Sequence, residues 1–477
     1  MVGGDAAPGD DAGAGSAHES DVAVVGDKQT ARVKGLQNLG NTCFLNSVLQ
    51  NVINTEAVRD ALLARGTDGF DREGGVTRAL RRLMIRVWAQ EGGGPLAPRE
   101  LLDALAQKEE RFAGYQQHDA HELWQSLLET IRQEECARGT LAAAQRQKQQ
   151  GKTASAAMEA AIKASRSAPC PIFQPVFGGK MVSKVRCQAC NRTSSNTEAF
   201  LDLSIDIPPT GWKTPESAAI EAGAAAGDGN NGGVEGGVGG SETNDAQGLA
   251  SRERCQKQRA LCGPASDRAA GLSAGLDGLL LPPSPSSGMV GGEVDGAEMA
   301  PEGATVEDSL HYFTTEEVLD GAGSTHWTCE ACKHTTAVKE VRLTKAPAKV
   351  LVLHIKRFRH GRFGLVKCQD KLRILPTLDL GPYMDAEDQE PTTAQPSSSA
   401  AATHSHPEGA LVYDLQGVVN HHGSLSGGHY TCFIANARSN LSAQTSWTYV
   451  SDTESRAASA EQVLSSEAYV LFYRRRE

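Results

Sequence analysis

The spacing of apolar residues changes once along this chain, and that change constrains the fold more than any other feature. Leu45, Val48, Leu49, Val52 and Ile53 repeat at the spacing of one helical face, and Ala120, Leu123, Trp124, Leu127, Leu128 and Ile131 do so again. A third helix is predicted over 76–89. From Phe173 the texture shortens to β-type runs at 176–177, 180–186 and 201–207, then, after a gap, at 337–343, 349–358, 411–420, 430–435 and 468–473. Helices first and antiparallel strands after is an α+β pattern. Residues 137–168, rich in Ala, Gln and Lys, read equally as a solvated helix or a loose excursion.

The gap between the two sets of strands is compositional. From 221 to 250, ten of thirty residues are Gly and six are Ala, and low complexity continues to about 305. Such a stretch buries too little apolar surface to offset its ordering entropy. Residues 209–305 are therefore predicted to be a disordered insertion, 1–32 a disordered tail and 385–408 a surface loop. What remains is one folded domain over 33–475, interrupted twice, and 477 residues leave ample material for its core.

Composition also excludes classes of function. A net charge of −11 argues against a protein held to nucleic acid by phosphate contacts. The longest apolar runs, such as Val350-Leu351-Val352-Leu353, fall far short of the roughly 18 residues that span a bilayer. The first residues carry no basic and apolar leader pattern, so the expected location is the cytoplasm or the nucleus.

Four of the eleven cysteines stand in two identical spacings, Cys187-Gln188-Ala189-Cys190 and Cys329-Glu330-Ala331-Cys332. A Cys-x-x-Cys pair turns two thiolates toward one point, and two pairs complete a tetrahedral site for one zinc ion. Each pair is expected to end a strand and to be followed by a residue that tolerates a turn, Asn191 or Lys333. Lys184, Arg186, Arg192 and Lys333 lie near in sequence and offset the thiolate charge. A redox motif is the alternative for either pair alone. The matched pairs favour a structural ion, and a closed four-thiolate site implies no catalytic metal. Cys136, Cys170, Cys255, Cys262, Cys368 and Cys432 read as ordinary thiols, Cys432 as core.

A different cysteine sits where chemistry is possible. Gly35-Leu36-Gln37-Asn38-Leu39-Gly40-Asn41-Thr42-Cys43 is a turn-rich strip feeding the first amphipathic helix. Asn41 or Thr42 suits its N-cap, which places Cys43 in the first turn, where free N–H groups and the helix dipole favour a thiolate. A thiol so placed, or paired with His, can fall from ~8.5 to ~3–4. Asn38 can offer an amide to an oxyanion. A buried, inert Cys under a helix is the other reading. Histidines cluster in Asn420-His421-His422-Gly423-Ser424-Leu425-Ser426-Gly427-Gly428-His429-Tyr430, where a glycine turn presents His429 at the head of a strand. A hairpin turn with surface histidines fits the same residues. Ser451 and Asp452 close a later strand, and either could accept the imidazole Nδ1–H.

These strips together resemble the ubiquitin-specific protease family of deubiquitinating enzymes. The likeness runs from Gly35 to Gln50, returns at His421, Gly423, Gly428, His429 and Tyr430, and includes Tyr115-Gln116-Gln117-His118-Asp119-Ala120-His121-Glu122-Leu123 and the closing run Ala468 to Tyr473. The resemblance implies a papain-like cysteine protease fold with a helical thumb, a β-rich palm and zinc-ribbon fingers. By position it implies Cys43 as nucleophile, His429 as general base and Asn38 as oxyanion donor. Asp119 would contact an arginine of the ubiquitin tail, and Gly427 and Gly428 would line a narrow channel for its Gly-Gly end. Most of the family carries Asp directly after the position of Val450, whereas this chain has Ser451 there, with Asp452 next. Ser451 is assigned as the third triad member by alignment, and Asp452 stays open. The implied activity is thiol-dependent hydrolysis of the thioester or isopeptide bond after ubiquitin's last glycine, by a monomer whose partners are ubiquitin and ubiquitinated proteins. The alternatives are a catalytically weak or inactive ubiquitin-binding module of the same fold, a zinc-ribbon nucleic-acid adaptor and a general papain-like protease. Acidic charge counts against the adaptor, and the paired cysteines against the general protease.

Overall fold

The helical half begins at a break in the backbone. Gly40 and Asn41 take positive φ values of 109° and 56°, and the chain then enters Cys43–Asn54 (α1). Every residue of α1 from Cys43 to Ile53 is buried. It is followed by Glu56–Leu63 (α2), Gly75–Trp88 (α3), Arg99–Lys108 (α4) and Ala120–Gln149 (α5). The α3 amides of Val76 and Thr77 are capped from α5, by Glu134 at 3.1 and 2.8 Å. The computed structural model describes residues 33–64, 75–89, 93–149, 169–214, 303–320, 327–361, 364–386, 411–424, 427–436 and 446–476. The tail predicted over 1–32, and most of the segments predicted over 209–305 and 385–408, lie outside them.

At the margins of those segments the composition reading runs too far. The Trp212 ring packs edge-on against Tyr312, Ala304–Thr305 pairs in parallel with Leu372–Arg373, and Asp385 accepts a hydrogen bond from Lys184 Nζ at 3.0 Å. Averaging over a window hides one anchoring aromatic or one ion pair at its end. Residues 176–177, predicted as strand, lie instead in the helical turn Gln174–Phe177, where Pro175 presets a helical φ. Of the 137–168 stretch, residues to Gln149 continue α5.

The large sheet has eight strands. Seven run in the order Glu454–Ala458, Trp447–Ser451, Gly427–Ala435, Val412–Ser424, Ala468–Arg475, Val350–Ile355 and Leu203–Ile205, and Thr377–Asp379 also pairs with Val412–Ser424. All pairings are antiparallel except the last, Leu203–Ile205 on Val350–Ile355. Both faces are covered. Val350, Val352, Val419, Cys432, Val470 and Phe472 pack toward the helices, while Leu351, Leu353, Val418, Leu471 and Tyr473 enter a second core. The pleat alternates side chains between faces, so one apolar run feeds both cores.

A smaller sheet orders Thr193–Phe200, Gly179–Cys187, Ala337–Lys345 and Glu317–Leu319. Cys187 pairs with Ala337, so strands from either side of the low-complexity stretch lie edge to edge. Helices packed on a mainly antiparallel sheet make the molecule α+β, as expected.

Candidate active site

α1 presents Cys43 as its first helical residue, 2% exposed. Thr42, not Asn41, is the N-cap, and its hydroxyl accepts from Leu39 N at 2.8 Å instead of capping the helix. Asn41 is tied elsewhere, its Nδ2 donating to the Tyr115 carbonyl at 2.8 Å. The first-turn amides of α1 thus receive no side-chain cap and remain available to an anion. The thiol itself departs from expectation. Burial pushes Cys43 above its ordinary value, the Asp452 carboxylate adds to that, and backbone amides of Tyr430, Phe44 and Cys43 oppose it without prevailing.

The three histidines of the glycine strip face three environments. His421 is buried among Phe358, Tyr430 and Tyr469, and burial, then the Lys367 charge, pulls its pKa to about 4. His422 contacts Thr431 Oγ1 through Nε2 at 3.0 Å. His429 contacts Ser451 Oγ through Nε2 at 2.8 Å. It is therefore Nε2, and not the expected Nδ1, that meets Ser451, which leaves Nδ1 on the other side of the ring. The next residue after His429 in the strand, Tyr430, is the one whose backbone amide reaches Cys43.

Asp452 does a different job. Its carboxylate accepts from Asn38 Nδ2 at 2.9 Å and from Asn46 Nδ2 at 2.7 Å, and its backbone, at a positive φ of 50°, takes the Leu36 amide. Asn38 Oδ1 in turn accepts the amides of Gly40 and Thr42, both at 3.0 Å. An amide nitrogen has two hydrogens. Asp452 takes one from Asn38, and the other can serve an oxyanion. Asn46, three residues into α1 from Cys43, was not singled out from the sequence. The signal was there, as a polar side chain on a wholly buried helix must find a partner.

Asp119 caps α5, accepting the amides of His121 at 2.7 Å and Glu122 at 3.1 Å, and its other oxygen takes the Tyr469 hydroxyl. Gly427 has open space about its Cα, while a Cβ at Gly428 would meet His421 Nε2 at 2.4 Å and the His422 carbonyl at 2.5 Å. Gly428 also holds a partner the sequence reading missed. Gln117 Nε2 donates to its carbonyl at 2.6 Å and Gln117 Oε1 accepts its amide at 3.1 Å. Asn38 is thus joined to Asp452, and His429 to Ser451, the chain neighbour of Asp452, while Cys43 meets the residue after His429.

The paired cysteines converge on the smaller sheet. Cys187 Sγ lies 3.6 Å from Cys332 Sγ, Cys190 Sγ lies 3.6 Å from Cys329 Sγ, and all four sulfurs fall within 4.8 Å of one another. Asn191 and Lys333 follow the pairs at φ 56° and 61°, as the turns require. One expectation is corrected, because only the first pair follows a strand and the second leads into one, at Ala337. Amides of Cys332 and Ala331 hold the Cys329 thiol down to about 6. Disulfide sulfurs would lie near 2.05 Å, whereas thiolates about 2.3 Å from one tetrahedral metal lie roughly 3.8 Å apart. The donor set and spacing fit a four-thiolate metal site.

Residues 34–473 match the family model described as ubiquitin carboxyl-terminal hydrolase. Among curated relatives, ubiquitin carboxyl-terminal hydrolase 22-A of Xenopus laevis is 25% identical over 449 residues, 93% of this chain and 66% of that protein. Ubiquitin carboxyl-terminal hydrolase 16 of Danio rerio is 33% identical over 218 residues, 41% of this chain and 26% of that one. The chain thus spans slightly under two thirds of the first relative. Among solved structures, the SAGA Ubp8/Sgf11/Sus1/Sgf73 DUB module bound to ubiquitin aldehyde superposes with a TM-score of 0.57 at 19% identity, covering 94% of this chain and 70% of the matched one. The corresponding module bound to monoubiquitin gives 0.56 at 20% identity, with the same coverage. These two share the fold.

Proposed function

The chain belongs to the ubiquitin-specific protease family of ubiquitin carboxyl-terminal hydrolases, and on that premise we propose that it is a deubiquitinating cysteine protease. Its substrates are ubiquitinated proteins, and the bond cleaved is the thioester or isopeptide bond after ubiquitin's last glycine. The observation that carries this reading is the 2.8 Å contact between His429 Nε2 and Ser451 Oγ, one residue before the amide that meets Cys43.

The upward-shifted thiol enters the reaction protonated, so His429 works first as a base. It takes the Cys43 proton as sulfur attacks the glycine carbonyl. The oxyanion is met by the second Asn38 N–H and by uncapped amides of α1. His429 then protonates the departing lysine amine. Water, deprotonated by the same imidazole, resolves the thioester to a carboxylate and a free thiol. Asp119 is proposed to hold an arginine of the ubiquitin tail, with Gly427 and Gly428 admitting the Gly-Gly end.

We further propose that Cys187, Cys190, Cys329 and Cys332 hold one structural zinc. Four thiolates close the coordination sphere, so the ion would brace the smaller sheet and take no part in the chemistry.

A second reading, a ubiquitin-binding module with little turnover, draws support from the raised Cys43 thiol and from Ser451, which stabilises an imidazolium less than a carboxylate does. A fluorogenic ubiquitin amide separates the two. Hydrolysis abolished by Cys43→Ser, with covalent labelling of Cys43 by a ubiquitin probe bearing a C-terminal electrophile, supports the enzyme. Binding without turnover or labelling refutes it.

A further inference from the structure

The strand that carries His429, Gly427–Ala435, has one edge paired from Gly427 to Ile434 and the other over less than half its length. Val412–Ser424 pairs with it from Gly417↔Ile434 to Ser424↔Gly427. On the opposite edge Trp447–Ser451 pairs only Cys432 through Ala435. Ahead of Cys432, in place of a neighbouring strand, one side chain meets the Gly428 backbone. Gln117 Nε2 donates to the Gly428 carbonyl at 2.6 Å, and the Gly428 amide donates to Gln117 Oε1 at 3.1 Å. A primary amide has the same donor and acceptor as a peptide group, so it can complete a backbone ladder. Two residues on, the Tyr430 amide reaches Cys43. Alternation along a strand sends the backbone groups of residues 428 and 430 to the same edge.

We propose that Gln117 is a positioning residue for His429, rather than a residue that touches substrate. His429 sits between two anchored peptides, one held by Gln117 and one directed at the nucleophile. Gly428 is also closed from behind, where the His421 ring and the His422 carbonyl leave no room for a Cβ. The peptide preceding the base is therefore gripped on both sides. Gln117 is two residues before Asp119, so the grip ties the base to the strip that opens α5. This inference rests on the proteolytic reading of the site.

The test uses the full chain, Gln117→Met and Gln117→Glu. The first keeps the length and removes both hydrogen bonds. The second keeps an acceptor and sets a carboxylate against a carbonyl. With a fluorogenic ubiquitin amide, kcat should fall about 10–100-fold in both variants, as expected when a base loses its geometry. KM, and the Kd for ubiquitin measured in a Cys43→Ala background, should stay within about twofold. A rise in KM and Kd at constant kcat would make Gln117 a tail-binding residue and overturn the proposal, as would unchanged kinetics. If the unsubstituted protein shows no turnover, the proteolytic reading fails separately. Imidazole nitrogen NMR then decides, since Gln117→Met should average the His429 tautomers, and an unaltered spectrum refutes positioning.

Discussion

Asn38 and Asp452 lie 414 residues apart in the chain and are joined by a hydrogen bond of 2.9 Å. The bond gives the acidic residue next to Ser451 a partner of its own. Ser451 faces His429, the proposed base, and Asp452 faces Asn38, the proposed oxyanion donor.

Removing that bond should therefore cost turnover without cost to binding. Asn38→Ala is expected to lower kcat by about 10²–10³-fold, the range for losing one oxyanion donor, and Asp452→Ala, which leaves that donor in place, by less than Ser451→Ala does, with KM little changed. The double variant should be no worse than Asn38→Ala alone, because both act on one contact. Additive losses in steady-state kinetics would separate the two roles.

Ser451 should act through the pH profile. Ser451→Ala is expected to reduce kcat/KM by about 10–100-fold, since a freely rotating imidazole rarely presents Nδ1 to the thiol. Ser451→Asp should move the acidic limb of the profile to higher pH, because a carboxylate beside Nε2 favours the imidazolium. A limb that does not move would place the base elsewhere.

Cys43 should behave as a protonated thiol in the free protein. Its alkylation by iodoacetamide is expected to be slow at neutral pH and to level off only at higher pH than that of a free thiol, because burial first and the Asp452 charge second push the thiol above its ordinary value. Asp452→Asn removes that charge and should shift the alkylation midpoint downward. A rate that levels off in mild acid would show a thiolate instead.

The paired cysteines predict one zinc per chain by elemental analysis, released on denaturation to a colorimetric chelator. Cys329→Ser should lose the ion and lower the melting temperature by several degrees, at about 2 °C or less per kcal/mol for a domain of this size. Protein that denatures without releasing zinc would refute the site.

Stability should decline in mild acid. His421 is held neutral at about 4, against 6.5 for a free imidazole, and burial also holds His354 well below its ordinary value. The unfolded chain binds the extra protons, so stability rises with pH and is lost as pH falls from about 6.5 toward 4. For His421 alone the shift corresponds to roughly 3 kcal/mol. Denaturant midpoints at pH 7 and pH 5 measure it, and His421→Phe should flatten part of the slope.

Much of the candidate site's placement was legible because it lies in short strips. Cys43, Asn38, Asp119, Gly428 and His429 each stand in a run whose residue types already suggest a turn, a helix start or a strand head. What was not legible is what distant elements bring. The direction of the Cys43 shift depends on burial beneath the strand carrying Tyr430, and the use of Nε2 depends on where a separate strand sets Ser451. Gln117 needed the open edge at Gly428 before its amide had a meaning. In the fold, α2 and α4 escaped notice because eight and ten residues give too few turns for a clear period. Residues 176–177 misled because two apolar residues cannot distinguish one helical turn from a strand.

The register between Gly179–Cys187 and Ala337–Lys345, together with Leu203–Ile205 lying against Val350–Ile355, joins the chain before Thr214 to the chain after Gly303 by backbone ladders. A molecule nicked once between those points should persist as a noncovalent heterodimer, with Cys43 on one fragment and His429 on the other, and coexpression of the two fragments should reconstitute the cleft.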